Sequence, residues 1–284
     1  EKSLIPGYTH TQIAMPSSGA LWFGGFAEGI LEEIEKIDLL KKTIDYSPLG
    51  SAAGYGSSFD INREYLAKEL NFKDINITST FAQFSRQKTD KTLAFIIGSI
   101  SENINKFCSD IILFNSQNFG IITLDEAYTT GSSIMPHKKN PDVFELIRAK
   151  SNSLISIQNQ INQIYSNLIS GYHRDFQITK TIIFNGLDQL SQILDLINEV
   201  LLKIKINDQI LNEPLYKNLF SVDLVNKYCE EGMSFRDAYI RVGLEIKDGN
   251  FDLNFDFDKY KHLGSIGNPG LEILKERLEK LNIV

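Results

Sequence analysis

The chain has 284 residues, 42% of them hydrophobic and 23% charged, with a net charge of −7. That is a globular composition, long enough for one large domain or two ordinary ones, and its acidic balance argues against broad nucleic-acid binding, which needs a basic face. No apolar run approaches the roughly 20 residues of a membrane span, and the two cysteines, Cys108 and Cys229, build neither a disulfide framework nor a CxxC metal pair, so a reducing cytoplasm is the natural setting.

The chain opens on EKSLIPGYTH, without an initiator Met or a signal peptide, and reads as beginning in mid-protein. PGYTHTQIAMP (Pro6 to Pro16) holds His10 between two prolines. From Phe26, apolar residues recur every three or four positions at Ile30, Ile34, Ile37, Leu40 and Ile44, which defines one face of a long helix. SPLGSAAGYGSSF (Ser47 to Phe59) is a Gly/Ser-rich loop. Ile96, Ile100, Ile104, Phe107, Ile111 and Phe114 mark a second helix, and Leu154, Ile157, Ile161, Ile164 and Leu168 a third. Ile183, Leu187, Leu190, Leu194, Ile197, Leu201 and Ile204 alternate four and three without a break, a coiled-coil-like seam.

After Asn207 the long seams stop, and NDQILNEPLYKN looks like a boundary. A shorter helical region follows, with Ser234 as an N-cap and Asp237 three residues on. NFDLNFDFDKY reads as a loop, and GSIGNPG (Gly264 to Gly270) as a turn before a last amphipathic helix. No strand-rich region and no internal repeat appear. Helices of about 25 residues are about 37 Å long and need partners along their whole length. The expectation is an all-α bundle of long helices, shared between subunits, over 1–210, with a small helical domain over 211–284.

Three stretches carry polar groups suited to chemistry. His10, read alone, is a turn histidine with local hydrogen bonds. TTGSSIMPHKKNP (Thr129 to Pro141) is a small-residue loop whose backbone N–H groups form a nest for carboxylate or phosphate, with Lys138 and Lys139 adding charge. Asn140 is a turn residue with a free amide, and Glu145 sits in the first turn of the next helix, where the macrodipole favours an acid. SGYHRDFQITK (Ser170 to Lys180) offers a phenol, an amide and a cation in Tyr172, Gln177 and Lys180; alone it is a helix N-terminus with surface polar residues. His173 has no second ligand at helical spacing, so no metal site is expected.

Taken together the stretches are specific. GSSIMPHKKNP resembles the signature loop of the fumarase/aspartase superfamily, GSSxMPxKxNP. Within it the chain most resembles the argininosuccinate lyase family: PGYTHTQ is similar to PGYTHxQ, SGYHRDFQITK to SGYxxDLQxxK, and EEGMSFRDAYIRVG to GMPFRxAHxxVG. The resemblance covers essentially the whole chain. It departs at His137, where Gln is more usual and MPHK also occurs in adenylosuccinate lyases, and at TSTFAQFSRQKTDK (residues 78–91), which stands in place of a DAVSDRDF segment.

The resemblance implies elimination of argininosuccinate to arginine and fumarate by a cytoplasmic homotetramer with active sites built from several subunits, and no metal or organic cofactor. Ser132 aligns with the residue that removes the proton beside a succinyl carboxylate. His10 aligns with the acid–base histidine and Glu145 with the glutamate that pairs with it across a subunit boundary. Lys138 aligns with the loop lysine. Thr9, Asn140, Tyr172, Gln177 and Lys180 align with substrate-binding positions. Loss of the proton creates a doubly charged aci-carboxylate, and the N–H groups around Ser132 and Ser133, with Lys138 and Asn140, are suitable donors to it. Adenylosuccinate lyase is a competing reading, weakened by the GYxRDxQxxK pattern. A non-catalytic crystallin-like relative is another, weakened by the retention of Ser132, His10, Lys138 and Glu145. The family also carries an N-terminal domain before PGYTH, so the expectation is a fragment of a longer enzyme with little activity alone.

Overall fold

The computed structural model describes residues 3–251 and 256–281. In chain order its elements are β1 (Leu4–Thr9), β2 (Gln12–Ser18), α1 (Gly19–Ile44), β3 (Tyr46–Ser47), α2 (Arg63–Glu69), β4 (Asp74–Ile75), α3 (Ser79–Phe114), β5 (Ile122–Thr123), α4 (Asp142–Ile155), α5 (Ile157–Ile164), α6 (Ile178–Leu201), β6 (Lys205–Ile206), α7 (Ser221–Glu230), α8 (Phe235–Lys247) and α9 (Leu271–Lys280), with short 3-10 turns between some of them. Long helices dominate, as the periodicity implies. The chain forms two compact units, one of residues 1–28, 113–126 and 204–284, the other of 29–112 and 127–203.

The first unit contains a feature the sequence does not announce. PGYTHTQIAMP is a β-hairpin in which β1 pairs antiparallel with β2, Thr9 facing Gln12 across a loop made of His10 and Thr11 alone. Both loop residues have positive φ, 52° and 59°. Hairpins favour this turn because its twist matches the strands, but it normally takes Asn-Gly. The register shifts between Pro6 and Tyr8, at Gly7, where a Cβ would lie 2.7 Å from the Met15 carbonyl oxygen. The Ser18 hydroxyl then accepts the Leu21 N–H at 3.1 Å and caps the start of α1.

Further along this unit β5 pairs with β6. The α7–α8 pair closes its own small core of Leu224, Val225, Ala238, Val242 and Phe251. Ser234 caps α8 as expected, its hydroxyl accepting the Asp237 N–H at 3.2 Å. Ser265 pairs with Asn268 in the turn before α9. Of NFDLNFDFDKY, residues 252–255 lie outside the described residues, and Phe257–Lys259 form a 3-10 turn.

The second unit is the helical core. Ile96, Ile100, Ile104, Phe107 and Ile111 of α3 are all buried, as their spacing implies. They share the interior with Phe144, Ile147 and Leu154 of α4, Ile157 and Ile161 of α5, and Ile183, Leu190, Ile193, Ile197 and Val200 of α6. Gly98 lets α3 come close to α4, a Cβ there falling 3.8 Å from Ile155 Cα. Glu33, 3% exposed, ties α1 to α3 by accepting from Lys36 Nζ at 2.7 Å and Ser99 Oγ at 2.8 Å.

One expectation for this unit needs correction. The third helical stripe is not one continuous helix: Ser156, whose hydroxyl bonds the Ser153 carbonyl at 2.7 Å, separates α4 from α5, and α5 ends at Ile164, before Leu168. The seam on α6 is only half buried. Its inner stripe runs Ile183, Gly186, Leu190, Ile193, Ile197, Val200, whereas Leu187 and Leu194 stay 37% and 42% exposed.

Cys108 lies at the centre of this unit with 0% exposure, and burial pushes its thiol up to about 12. Cys229 is partly exposed. A thiol reagent at pH 8 is therefore expected to label Cys229 in the native chain and Cys108 only on unfolding. A second thiol reacting at the native rate would contradict the burial.

Candidate active site

The signature loop is built on a pinned neck. Thr130 and Asn140 form an isolated antiparallel bridge, with Thr130 N–H donating to the Asn140 carbonyl at 3.1 Å and the reverse bond at 2.8 Å. The Asn140 amide also reaches the Gly131 carbonyl at 3.3 Å, and the Thr130 hydroxyl donates to Asp142 Oδ2 at 2.5 Å. Asp142 opens α4, where a carboxylate is favoured by the helix dipole. The nine residues between the bridge partners are largely exposed, Ile134 reaching 85%.

Inside that loop the Ser132 Oγ accepts two backbone N–H groups, from Ile134 at 3.3 Å and from Met135 at 3.1 Å. A serine is a poor base because its alkoxide is costly. Two fixed donors aimed at that oxygen lower the cost, since they stabilise the anion more than the neutral hydroxyl. The turn is held by Lys138 N–H donating to the Met135 carbonyl at 3.1 Å. Ser133 and Lys138 are exposed on the same loop, and Glu145 is exposed in the first turn of α4.

The segment 170–180 carries a second group of candidate residues. Phe176 is buried as its anchor, with the Tyr172 ring edge-on at 5.9 Å and the Tyr165 ring at 5.4 Å. The Gln177 amide donates to the Tyr172 hydroxyl at 3.1 Å, so these two residues present one joined polar surface. Lys180 is exposed in the first turn of α6. His173 bonds the Ile169 carbonyl at 3.0 Å, the local contact of a loop histidine.

Thr9 and His10 belong to the other unit, at the exposed end of the β1–β2 hairpin. Beside them Tyr8, Thr11, Gln12, Asn118 and Phe119 line a cavity of about 550 Å³. The Tyr8 and Tyr216 hydroxyls bond at 3.0 Å, and burial raises the Tyr8 phenol well above its usual range. Ser132, Ser133, Lys138 and Asn140 thus share one loop with Glu145 directly behind it; Tyr172 and Gln177 touch; and Thr9 and His10 share one turn. Sequence reasoning missed Thr130 and Asp142 as the neck. The signal was there in outline, since a hydroxyl and a carboxylate bracket the two ends of the motif.

A family model described as lyase matches residues 1–155. The argininosuccinate lyase of Parabacteroides distasonis is 46% identical over 265 residues, 93% of this chain and 59% of that protein. That of Phocaeicola vulgatus is 46% identical over 281 residues, 98% of this chain and 61% of that protein. The chain therefore spans 59% to 61% of the length of these relatives. Among solved structures, a variant of EDDS lyase with bound fumarate superposes with a TM-score of 0.77 at 16% identity, covering 98% of this chain and 63% of that one. That likeness speaks for the fold, and the fold is the long-helix architecture the sequence implies.

Proposed function

Because the chain belongs to the lyase family whose model matches its residues 1–155, we propose that this protein is a carbon–nitrogen lyase of arginine biosynthesis that splits argininosuccinate into arginine and fumarate. The observation that carries the reading is the seating of the Ser132 Oγ on the Ile134 and Met135 N–H groups. It is supported by the identity of 46% to argininosuccinate lyases over nearly the whole chain.

In this reading Ser132, as the alkoxide, takes the proton beside the succinyl carboxylate. The aci-carboxylate that forms carries two negative charges on one group, and stabilising it is the main electrostatic demand. Lys138, Asn140 and the loop N–H groups around Ser133 oppose that charge. Electrons then move from the carbanion to form the fumarate double bond as the C–N bond breaks, and the leaving guanidino group takes a proton from His10, with Glu145 orienting the imidazole. Thr9, Tyr172, Gln177 and Lys180 hold the substrate. The chemistry calls for neither a metal nor an organic cofactor.

The assembly in this reading is a homotetramer around the 1–210 bundle, with 211–284 as a small C-terminal domain. The half-exposed Leu187 and Leu194 of α6, and Phe184 at 61% exposure, offer the apolar face that neighbouring helices would cover. Cytoplasmic residence suits the two free cysteines. Among the described residues no helix is long and apolar enough to cross a membrane.

The deciding experiment is fumarate release with argininosuccinate and adenylosuccinate offered separately. Release from argininosuccinate and none from adenylosuccinate is expected, small in amount for this chain by itself, which spans 59% to 61% of the length of its relatives. Release from adenylosuccinate alone overturns the substrate while keeping the elimination. A solution mass corresponding to a stable monomer overturns the assembly.

A further inference from the structure

We propose that Asp90 is a positioning residue for the Tyr172–Gln177–Lys180 segment, acting through the hydroxyls of Tyr165 and Thr179; the substrate-facing role of that segment rests on the function proposed above. Asp90 stands on α3, inside the 78–91 stretch where this chain departs from the segment it resembles, so the resemblance supplies no role for it. Its Oδ2 accepts from the Thr179 hydroxyl at 2.7 Å and from the Tyr165 hydroxyl. The two hydroxyls are themselves 3.1 Å apart. Tyr165 and Thr179 are 3% and 1% exposed.

The placement of these partners is what gives the network its meaning. Tyr165 ends α5, just before the irregular stretch that begins at Ser166. Thr179 lies at the other end of that stretch, between Gln177 and Lys180, in the first turn of α6. One carboxylate on α3 therefore grips both ends of the segment. A second bond from the same helix face, Gln87 Nε2 to the Tyr165 carbonyl at 3.2 Å, fixes the Tyr165 end again.

Between the two ends the chain has little regular structure of its own. Asn167 and Gly171 have φ of 67° and 109°, and a single 3-10 turn covers Arg174–Gln177. A loop of this kind holds side chains accurately only when its ends are fixed by bonded neighbours. The rest of α6 is held by Ile183, Leu190, Ile193 and Ile197, from one turn beyond Thr179 onward. The polar network is thus confined to the end of α6 that carries Gln177 and Lys180, where geometry matters more than burial. Buried hydroxyls sharing one charged acceptor are also a directional device, since charge-assisted bonds lose strength quickly when misaligned.

The test compares Asp90→Asn, Thr179→Val and Thr179→Ser with the unmodified protein, by amide hydrogen exchange and by kinetics. Exchange across 166–178 is expected to rise about tenfold in Asp90→Asn and Thr179→Val, with α3 and the body of α6 unchanged, because local opening is governed by local bonds. Thr179→Ser, which keeps the hydroxyl, is expected to restore the slow exchange. In the assay, KM for argininosuccinate is expected to rise about tenfold in the first two variants with kcat within about threefold, the pattern of lost binding geometry rather than lost chemistry.

Unchanged exchange at 166–178 in Asp90→Asn overturns the proposal, because Thr179→Val also removes a bond to the Phe176 carbonyl. So does a Thr179→Ser variant as loose as Thr179→Val, because the methyl and not the hydroxyl would then be responsible. The exchange arm reads the positioning without substrate. A protein carried to the length of its relatives that still releases no fumarate from argininosuccinate sinks the functional reading alone, and the exchange result still decides the role of Asp90.

Discussion

Ser132→Ala is expected to lower kcat for fumarate release by about 10³-fold or more, the scale of losing a group that acts on the transferred proton together with its electrostatic support. The melting temperature should move little, because the residue sits in a largely exposed loop and surface changes away from special contacts stay within about 0.5 kcal/mol. The two backbone donors at Ser132 remain in the variant but lose the oxygen they serve. KM should change far less than kcat, since in the proposed reading the substrate carboxylates keep Lys138, Asn140 and the 170–180 segment. Ser133→Ala is the control. It removes the neighbouring hydroxyl from the same loop, and a much smaller fall is expected because the Ile134 and Met135 N–H groups meet Ser132. A Ser132→Ala enzyme within tenfold of the unmodified rate would falsify the assignment of the base.

How far such details could be seen in the sequence depends on what encodes them. The buried face of α3 was legible because helix periodicity is a geometric consequence of spacing, and Ile96, Ile100, Ile104, Phe107 and Ile111 are all inside. The seam of α6 was legible as a helix but not as a burial pattern. Leu187 and Leu194 obey the same period as Ile183 and Leu190, and a single chain covers only one side of that stripe. The β1–β2 hairpin was not legible. Its strands contain Pro6 and Pro16, which remove ladder donors, and Gly7, which forms poor strand, so no two-residue alternation survives. Its turn uses His10 and Thr11 in place of the residues that normally signal it.

The candidate site divides in the same way. The signature loop and the GYHRDFQ segment stand out because their residue types are unusual together over a short span. The Asp90–Tyr165–Thr179 network was invisible, because its members lie 75 and 14 positions apart and each is ordinary alone. The edge-on contact of Tyr172 with Phe176 likewise needs the fold before it can be seen.

The neck of the signature loop yields the second large effect. Thr130→Val is nearly isosteric and removes only the hydroxyl, which donates to Asp142 and accepts from the Asn140 amide at 3.4 Å. The backbone bridge between Thr130 and Asn140 remains, so the loop should still form and the fold should hold. What is lost is the side-chain clip that ties the start of the loop to the first turn of α4. Ser132 stands two residues from that clip, and a displacement of about 1 Å at a reacting group can cost about 10²-fold in rate. The expectation is therefore a fall in kcat of about 10- to 100-fold with a smaller change in KM, since the 170–180 segment is untouched. Asp142→Asn should fall less, because the amide oxygen still accepts the Thr130 proton while the charge that strengthens the bond is gone. Thr130→Ser should recover most of the activity. Limited proteolysis gives an independent reading: cleavage within 131–139 should quicken in Thr130→Val and return to the original rate in Thr130→Ser, because opening of an exposed loop follows the bonds at its neck. If Thr130→Val keeps both the rate and the protease resistance of the unmodified protein, the backbone bridge alone positions Ser132 and the Asp142 carboxylate serves only the helix dipole.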